Sequence, residues 1–180
     1  MNEKARAVID FWNEIGPKAW FEKSDAIDAS IREKFGDLHR QAANGELDDW
    51  KNEADSCLAL ILVLDQFSRN MFREDARAFA TDEYAADLAN FALDNRYPDK
   101  VADDLKSFFV MPFMHSERIA DQERCVLLFH KTGGPDGLKY AIIHRDIIAR
   151  FGRFPHRNKV LCRHTTPAEQ AFLDAGGFSG

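Results

Sequence analysis

Apolar residues recur at helical spacing along almost the whole chain. Ala5, Val8, Ile9 and Trp12 share one face of a short amphipathic helix predicted over residues 5–15, which Gly16-Pro17 ends. Trp20 and Phe21 follow in a loop and are expected to anchor in the core. Ser24 suits an N-cap and Asp25 the first turn of a second helix. Ile27, Ile31, Phe35 and Leu38 carry that helix to about residue 43, where Asn44-Gly45 is a stop.

Residues 55–71 form the most apolar predicted helix. Leu58, Leu60, Ile61, Leu62, Val63 and Leu64 leave its first half no polar face, so it should be central and buried on most sides. Its second half carries Asp65, Arg69 and Arg73 at i, i+4 and i+8, with Gln66 and Asn70 beside them. Thr81 can cap a helix over 82–95 with Tyr84, Leu88, Phe91 and Ala92 inward. Another helix starts near 101 or 103 and carries Leu105, Phe108 and Phe109; Pro112 should break it near Val110.

Helix is predicted again over 116–130, with His115, Ile119, Gln122, Val126 and Phe129 on one face and His115 and Gln122 pointing inward. A Gly/Pro-rich turn spans 132–137. In the helix over 138–151, Tyr140, His144, Ile147 and Phe151 line one side, and Ile142, Asp146 and Arg150 another. Gly152 is placed as a left-handed C-terminal residue, and Pro155 forbids continuation. Thr166-Pro167 starts a last short helix over 167–173 with Glu169 in its first turn. The tail, 173–180, is expected to be loose. No run alternates with the period of a strand. The pattern is that of a single all-α domain over 1–180, with about seven or eight helices joined by short turns.

Composition narrows the function classes. With 180 residues, 45% hydrophobic and 30% charged, the chain is long enough to bury a core and suits a globular protein. A net charge of −6 argues against nucleic-acid binding through bulk charge. Residues 1–12 mix Glu3, Lys4 and Arg6 with apolar residues and lack the apolar core of a secretory leader. The longest apolar run, 57–64, is far short of the roughly 20 residues a membrane span needs. Cys57, Cys125 and Cys162 are scattered and odd in number, which fits a reducing cytoplasm and no structural zinc.

Several tempting motifs fail on their own terms. His144-Arg145-Asp146 lacks the Asn that a kinase catalytic loop places five positions on, because Phe151 stands there. The 133–137 stretch lacks the Lys-Ser/Thr of a phosphate-binding loop. Ser116 has no Gly-x-Ser-x-Gly around it. No cofactor is expected.

Three segments hold more interest: 65–73, 111–117 and 144–158. Each sets ionisable groups within or just after an apolar helix, and in a helical bundle such positions can converge at one end of the core. One interpretation is structural, with Asp65, Glu117 and Asp146 neutralising Arg69, Arg150 and Arg153, since burying unpaired charge costs several kcal/mol per ion. A second is an anion pocket, because Arg binds carboxylate or phosphate bidentately. A third is a metal site from His115, Glu117, His144, Asp146 or His156; it is disfavoured because His144 and Asp146 point apart on a helix and no His-x-x-x-His is present.

The same residues resemble a bacterial family catalogued as domain of unknown function 924. The resemblance rests on Phe11-Trp12 with Trp20-Phe21, Ile31-Arg32 with Phe35-Gly36, and the run from Leu64 to Asn70. It continues through Arg77-Ala78-Phe79-Ala80, the run from Met111 to Glu117, and the run from His144 to Asn158. Ser68 stands where the family typically has Pro, and Asn13 where it often has a third aromatic. The resemblance implies a helical array similar to tetratricopeptide-repeat (TPR) proteins, although no consensus repeat of roughly 34 residues is visible. It implies no activity and transfers no catalytic residue.

Two functions are therefore carried forward. The first is a site, binding or enzymatic, for a small anionic metabolite. Asp65, Arg69, Arg73, Glu117, Asp146, Arg150, Arg153 and Arg157 are its candidate ligand-binding residues. His115, His144 and His156 are its candidate acid–base groups, since imidazole titrates near neutral pH. The second is a TPR-like scaffold that meets a protein partner through a helical groove, with a purely structural charged cluster.

Overall fold

The computed structural model describes residues 2–132 and 135–178. The described residues are all-helical, with no strand. The turn predicted over 132–137 lies partly outside them at 133–134, as does the tail beyond Phe178. No helix among them is long and apolar enough to cross a membrane. The chain packs as two units, residues 1–73 with 77–112, and residues 74–76 with 113–180.

The first unit begins with α1 (Glu3–Ile15), capped by the Asn2 side chain on the Lys4 amide. Ser24 caps α2 (Asp25–Ala43) as its sequence position predicts, and Gly45 takes the left-handed backbone (φ 76°) that frees the chain beyond. The predicted central helix is a composite: α3 (Ala54–Ile61), a π-helical turn (Leu62–Phe67) and α4 (Ser68–Met71). Every residue from Ser56 to Ser68 is buried. A π turn widens the helix and is rare outside functional or strained positions. Here the Leu64 carbonyl receives both Ser68 Oγ and Thr81 Oγ1 at 2.6 Å, and His39 Nε2 lies 2.8 Å from Ser68 Oγ. Ser68 is thus used as a hydrogen-bonding residue.

Thr81 therefore does not cap α5 (Asp82–Asp94), because its hydroxyl is spent on Leu64. The core gathers on the composite helix. Trp12 and Trp20 stack at 5.9 Å, Trp12 meets Phe67 at 5.7 Å, and Phe108 closes on both indoles at 5.5 and 5.0 Å. Phe21, expected in the core beside Trp20, is instead 66% exposed. Leu105, Phe108 and Phe109 are buried, and the segment that carries them is a 3-10 turn (Asp103–Phe109) rather than an α-helix. That segment ends at Phe109, the break near Val110 that Pro112 predicts, and Pro112 itself sits in the first turn of α6 (Met111–His115), where its missing N–H costs nothing.

The second unit contains α7 (Ile119–Thr132), α8 (Pro135–Phe151) and α9 (Pro167–Asp174). The helix expected from Ser116 starts three residues later, at Ile119. The hydroxyl of Ser116 instead donates to Asp121 Oδ2 at 2.6 Å, and Ile119 is 43% exposed rather than inward. Gly137 is needed where α8 passes α7: an added Cβ would lie 2.7 Å from the Phe129 ring. Gly152 adopts φ 69°, ending α8 as predicted. Ile147, Ile148 and Phe154 form a small core with Ile143, Phe151, Phe172 and Phe178 against it. Thr166 and Glu169 form a capping box on α9. The tail is tied down as far as Phe178: Gly177 N–H donates to the Phe172 carbonyl (3.0 Å), and the Phe178 ring meets His144 at 4.5 Å.

Candidate functional site

Within the first unit the π turn and α4 aim the Asp65–Arg69–Arg73 stripe at two different environments. Arg69 forks onto the Asp82 carboxylate at 2.9 and 3.0 Å and donates to the Asp65 carbonyl at 2.8 Å. Its Nη1 is also 3.4 Å from Asp65 Oδ1, and Gln66 donates to Asp65 Oδ2 at 2.6 Å. Burial works against the charged Arg69 guanidinium, but Asp82 and Asp65 outweigh it and hold its pKa above the ordinary value. Its fork is therefore taken up within the protein. Asp82 is the partner sequence spacing did not suggest.

Arg73 reaches the buried Asp28 of α2 through Nε and Nη2, and Asn70 Nδ2 donates to the same carboxylate at 2.8 Å. Arg32 donates one N–H to the Met71 carbonyl at 2.9 Å. Lys23, Asp25, Asp28, Arg32, Asn70, Met71 and Arg73 line an open cleft of about 310 Å3. Lys23, Arg32 and Asp28 had no signal in the sequence that set them apart from a solvated helix end.

Within the second unit, two of the three predicted segments meet. Glu117 accepts the Phe154 amide at 2.8 Å, and Arg157 Nη2 donates to the His115 carbonyl at 3.0 Å. The main partner of Glu117 is Arg163, which lies outside those segments: its two Nη atoms donate at 2.7 and 3.0 Å. Burial raises the Glu117 carboxyl, but Arg163 and the Phe154 amide outweigh it and leave it below the ordinary range. Arg153 forks onto buried Glu169 at 2.6 and 2.8 Å and donates to the His164 carbonyl at 2.6 Å. That fork, followed by the Thr166 contacts, depresses the Glu169 carboxyl. Asp146 is turned to Arg145 at 2.6 Å, while Arg150 lies over the Phe151 ring at 4.6 Å.

The imidazoles differ from one another. His156 sits against Phe154 and Phe178 (both 5.5 Å), its Nδ1 is buried with no hydrogen-bond partner, and burial followed by the nearby Arg157 charge lowers it to about 4. It is neutral at pH 7 and a poor proton donor there. His144 Nδ1 lies 2.8 Å from the Tyr140 carbonyl, which fixes it as a donor and leaves Nε2 as the atom that could accept a proton. His115 is half-buried. Among the described residues, no group of three or more His, Cys, Asp or Glu is arranged to hold a metal ion. Burial also pushes the Cys57 and Cys125 thiols up to about 12, so neither is a thiolate at neutral pH.

Residues 8–177 match the model of a family described as a bacterial protein of unknown function, DUF924. The chain belongs to that family. A solved structure of a protein of unknown function from Agrobacterium tumefaciens is 46% identical, covers 96% of this chain and 98% of its own, and superposes with a TM-score of 0.92. No curated protein matches the chain.

Proposed function

We propose that this family member binds a small anionic metabolite, a phosphate or a carboxylate, in the cleft where α2 begins. The observation that supports this is the charge of the lining. Lys23, Arg32 and Arg73 face Asp25 and Asp28, three cations to two carboxylates. Asp28 is itself engaged by Arg73 and Asn70, so its charge is taken up within the protein. Lys23 and the remaining donors of Arg32 have no protein partner among the described residues. Arg32 is held by one N–H on the Met71 carbonyl, which leaves the rest of its planar fork to receive an oxyanion. No imidazole lines this cleft, and the reading is one of binding with no reaction assigned.

Thermal unfolding with orthophosphate and with citrate tests the reading. A ligand at 100 times its dissociation constant adds about 2.7 kcal/mol. Both anions also stabilise proteins by exclusion from the surface. The decisive comparison is therefore with Arg32→Ala and Lys23→Ala, which should lose the saturable part of the shift. An equal shift in these variants, or no shift at all, would sink the reading.

A second reading, the TPR-like scaffold with a protein partner, draws on exposed apolar side chains of α7 and α8. Leu127 is 61% and Tyr140 48% exposed. Leu127→Lys with Tyr140→Lys would disrupt such an association and leave anion binding untouched.

A further inference from the structure

The second unit has an opening of different chemistry. Ile143, Ile147 and Phe151 fall on one stripe of α8 at i, i+4 and i+8. With Phe172 of α9 and Phe178 they line a groove of about 270 Å3. Asp146 and Arg150 line it too. Asp146 is already turned to Arg145. Arg150 is different: its guanidinium lies over the Phe151 and Phe172 rings at 4.6 and 5.8 Å and makes no ion pair among the described residues. Elsewhere in this unit Arg153, Arg157 and Arg163 each donate to protein oxygens.

A guanidinium stacked on aromatic rings is held in place by its face, while the N–H groups around its edge stay available. We propose that this groove binds a small amphiphilic carboxylate, its apolar body against Ile147, Phe151 and Phe172 and its carboxylate on Arg150. The two halves of the lining argue for one ligand. A purely apolar molecule would leave the cation unused, and an inorganic anion would gain nothing from the phenyl rings. A carboxylate on an alkyl or aryl body uses both, through apolar burial and a charge-assisted fork. The inference does not depend on the cleft of the first unit, whose lining is mainly charged.

The test is calorimetric titration of the full chain with octanoate, 1-octanol and acetate. Octanoate should saturate one site and bind about tenfold or more tighter than octanol, the usual scale of a hydrogen bond to a charged group. Acetate should give no saturable heat. Arg150→Gln should erase the preference for octanoate over octanol and leave octanol binding unchanged. Amide chemical-shift changes on octanoate addition should concentrate at residues 143–151 and 172. The wild-type preference alone decides the matter if the variant fails to fold. Absence of saturable octanoate binding, equal affinity for the acid and the alcohol, or shift changes centred elsewhere would each overturn the proposal.

Discussion

Arg69 and Arg73 stand four residues apart, yet their surroundings are opposite. Arg69 lies between Asp65 and Asp82, both nearly inaccessible, with its fork filled by carboxylate and carbonyl oxygens. Arg73 shares the single carboxylate of Asp28 with Asn70, at the wall of a cleft where Arg32 and Lys23 keep open donors. Arginine abundance in a sequence is therefore ambiguous. A saturated guanidinium holds elements together, and an unsaturated one beside a cavity is free to meet a ligand. The same division recurs in the second unit, between Arg153 on Glu169 and Arg150 on its phenyl rings.

The largest effect that would test this division is that of Arg69→Ala. It removes the Arg69 guanidinium from the buried carboxylates of Asp65 and Asp82, and breaking a buried pair typically costs about 3–5 kcal/mol. Urea unfolding should show a loss of this order, with no change in any anion affinity that survives. A loss near zero would mean that Arg69 does not hold these elements together.

Arg153→Ala should come next, with a smaller loss than Arg69→Ala, because Glu169 is buried and loses a bidentate partner while Arg153 itself is partly solvated. Glu169 also caps α9, so amide exchange should accelerate over residues 167–174 before the rest of the unit. Uniform acceleration across the unit would contradict a local role.

These partners explain what the sequence could and could not reveal. Ser24, Gly152 and Thr166-Pro167 are local signals, and each predicts the helix end found. Phe21 in its loop and Ile119 on its helix are more exposed than expected, because an apolar residue type or face does not say whether anything covers it. The Asp65–Arg69 contact at i, i+4 is legible in the sequence, but the other ion pairs of these arginines lie beyond its reach for a different reason. Asp82 is 13 residues from Arg69, Glu169 is 16 from Arg153, Asp28 is 45 from Arg73 and Arg163 is 46 from Glu117. Which acid neutralises which guanidinium is set by tertiary packing. The three segments of the sequence therefore identify cations as a class and leave their saturation open.

Acid extends the comparison to His156. Its folded value near 4 lies below the ordinary 6.5, so the unfolded chain takes up the proton first. The stability it contributes is full above about pH 6.5 and is lost as pH falls toward 4. Glu117 and Glu169, held down by their arginines, act in the same direction at lower pH. The melting temperature should fall between pH 7 and pH 4. Replacing the imidazole by an untitratable ring, His156→Phe, should flatten the upper part of that fall, by no more than about 1.4 kcal/mol per pH unit. An unchanged profile would show that His156 is protonated as readily in the folded chain as in the unfolded one.

The smallest change in stability separates saturated from open cations most sharply. Arg32 is exposed and makes one hydrogen bond to a backbone carbonyl, so Arg32→Ala should shift unfolding by no more than about 0.5 kcal/mol. If the cleft binds an anion, that nearly silent substitution removes the saturable phosphate or citrate response in full. Arg69→Ala would give the converse, a large loss of stability with ligand response intact in whatever folded fraction remains. Two arginines of the same unit would then separate stability from binding by opposite measurements. If Arg32→Ala proves as destabilising as Arg69→Ala, Arg32 belongs with the saturated class, and the cleft loses the donor best placed to hold an anion.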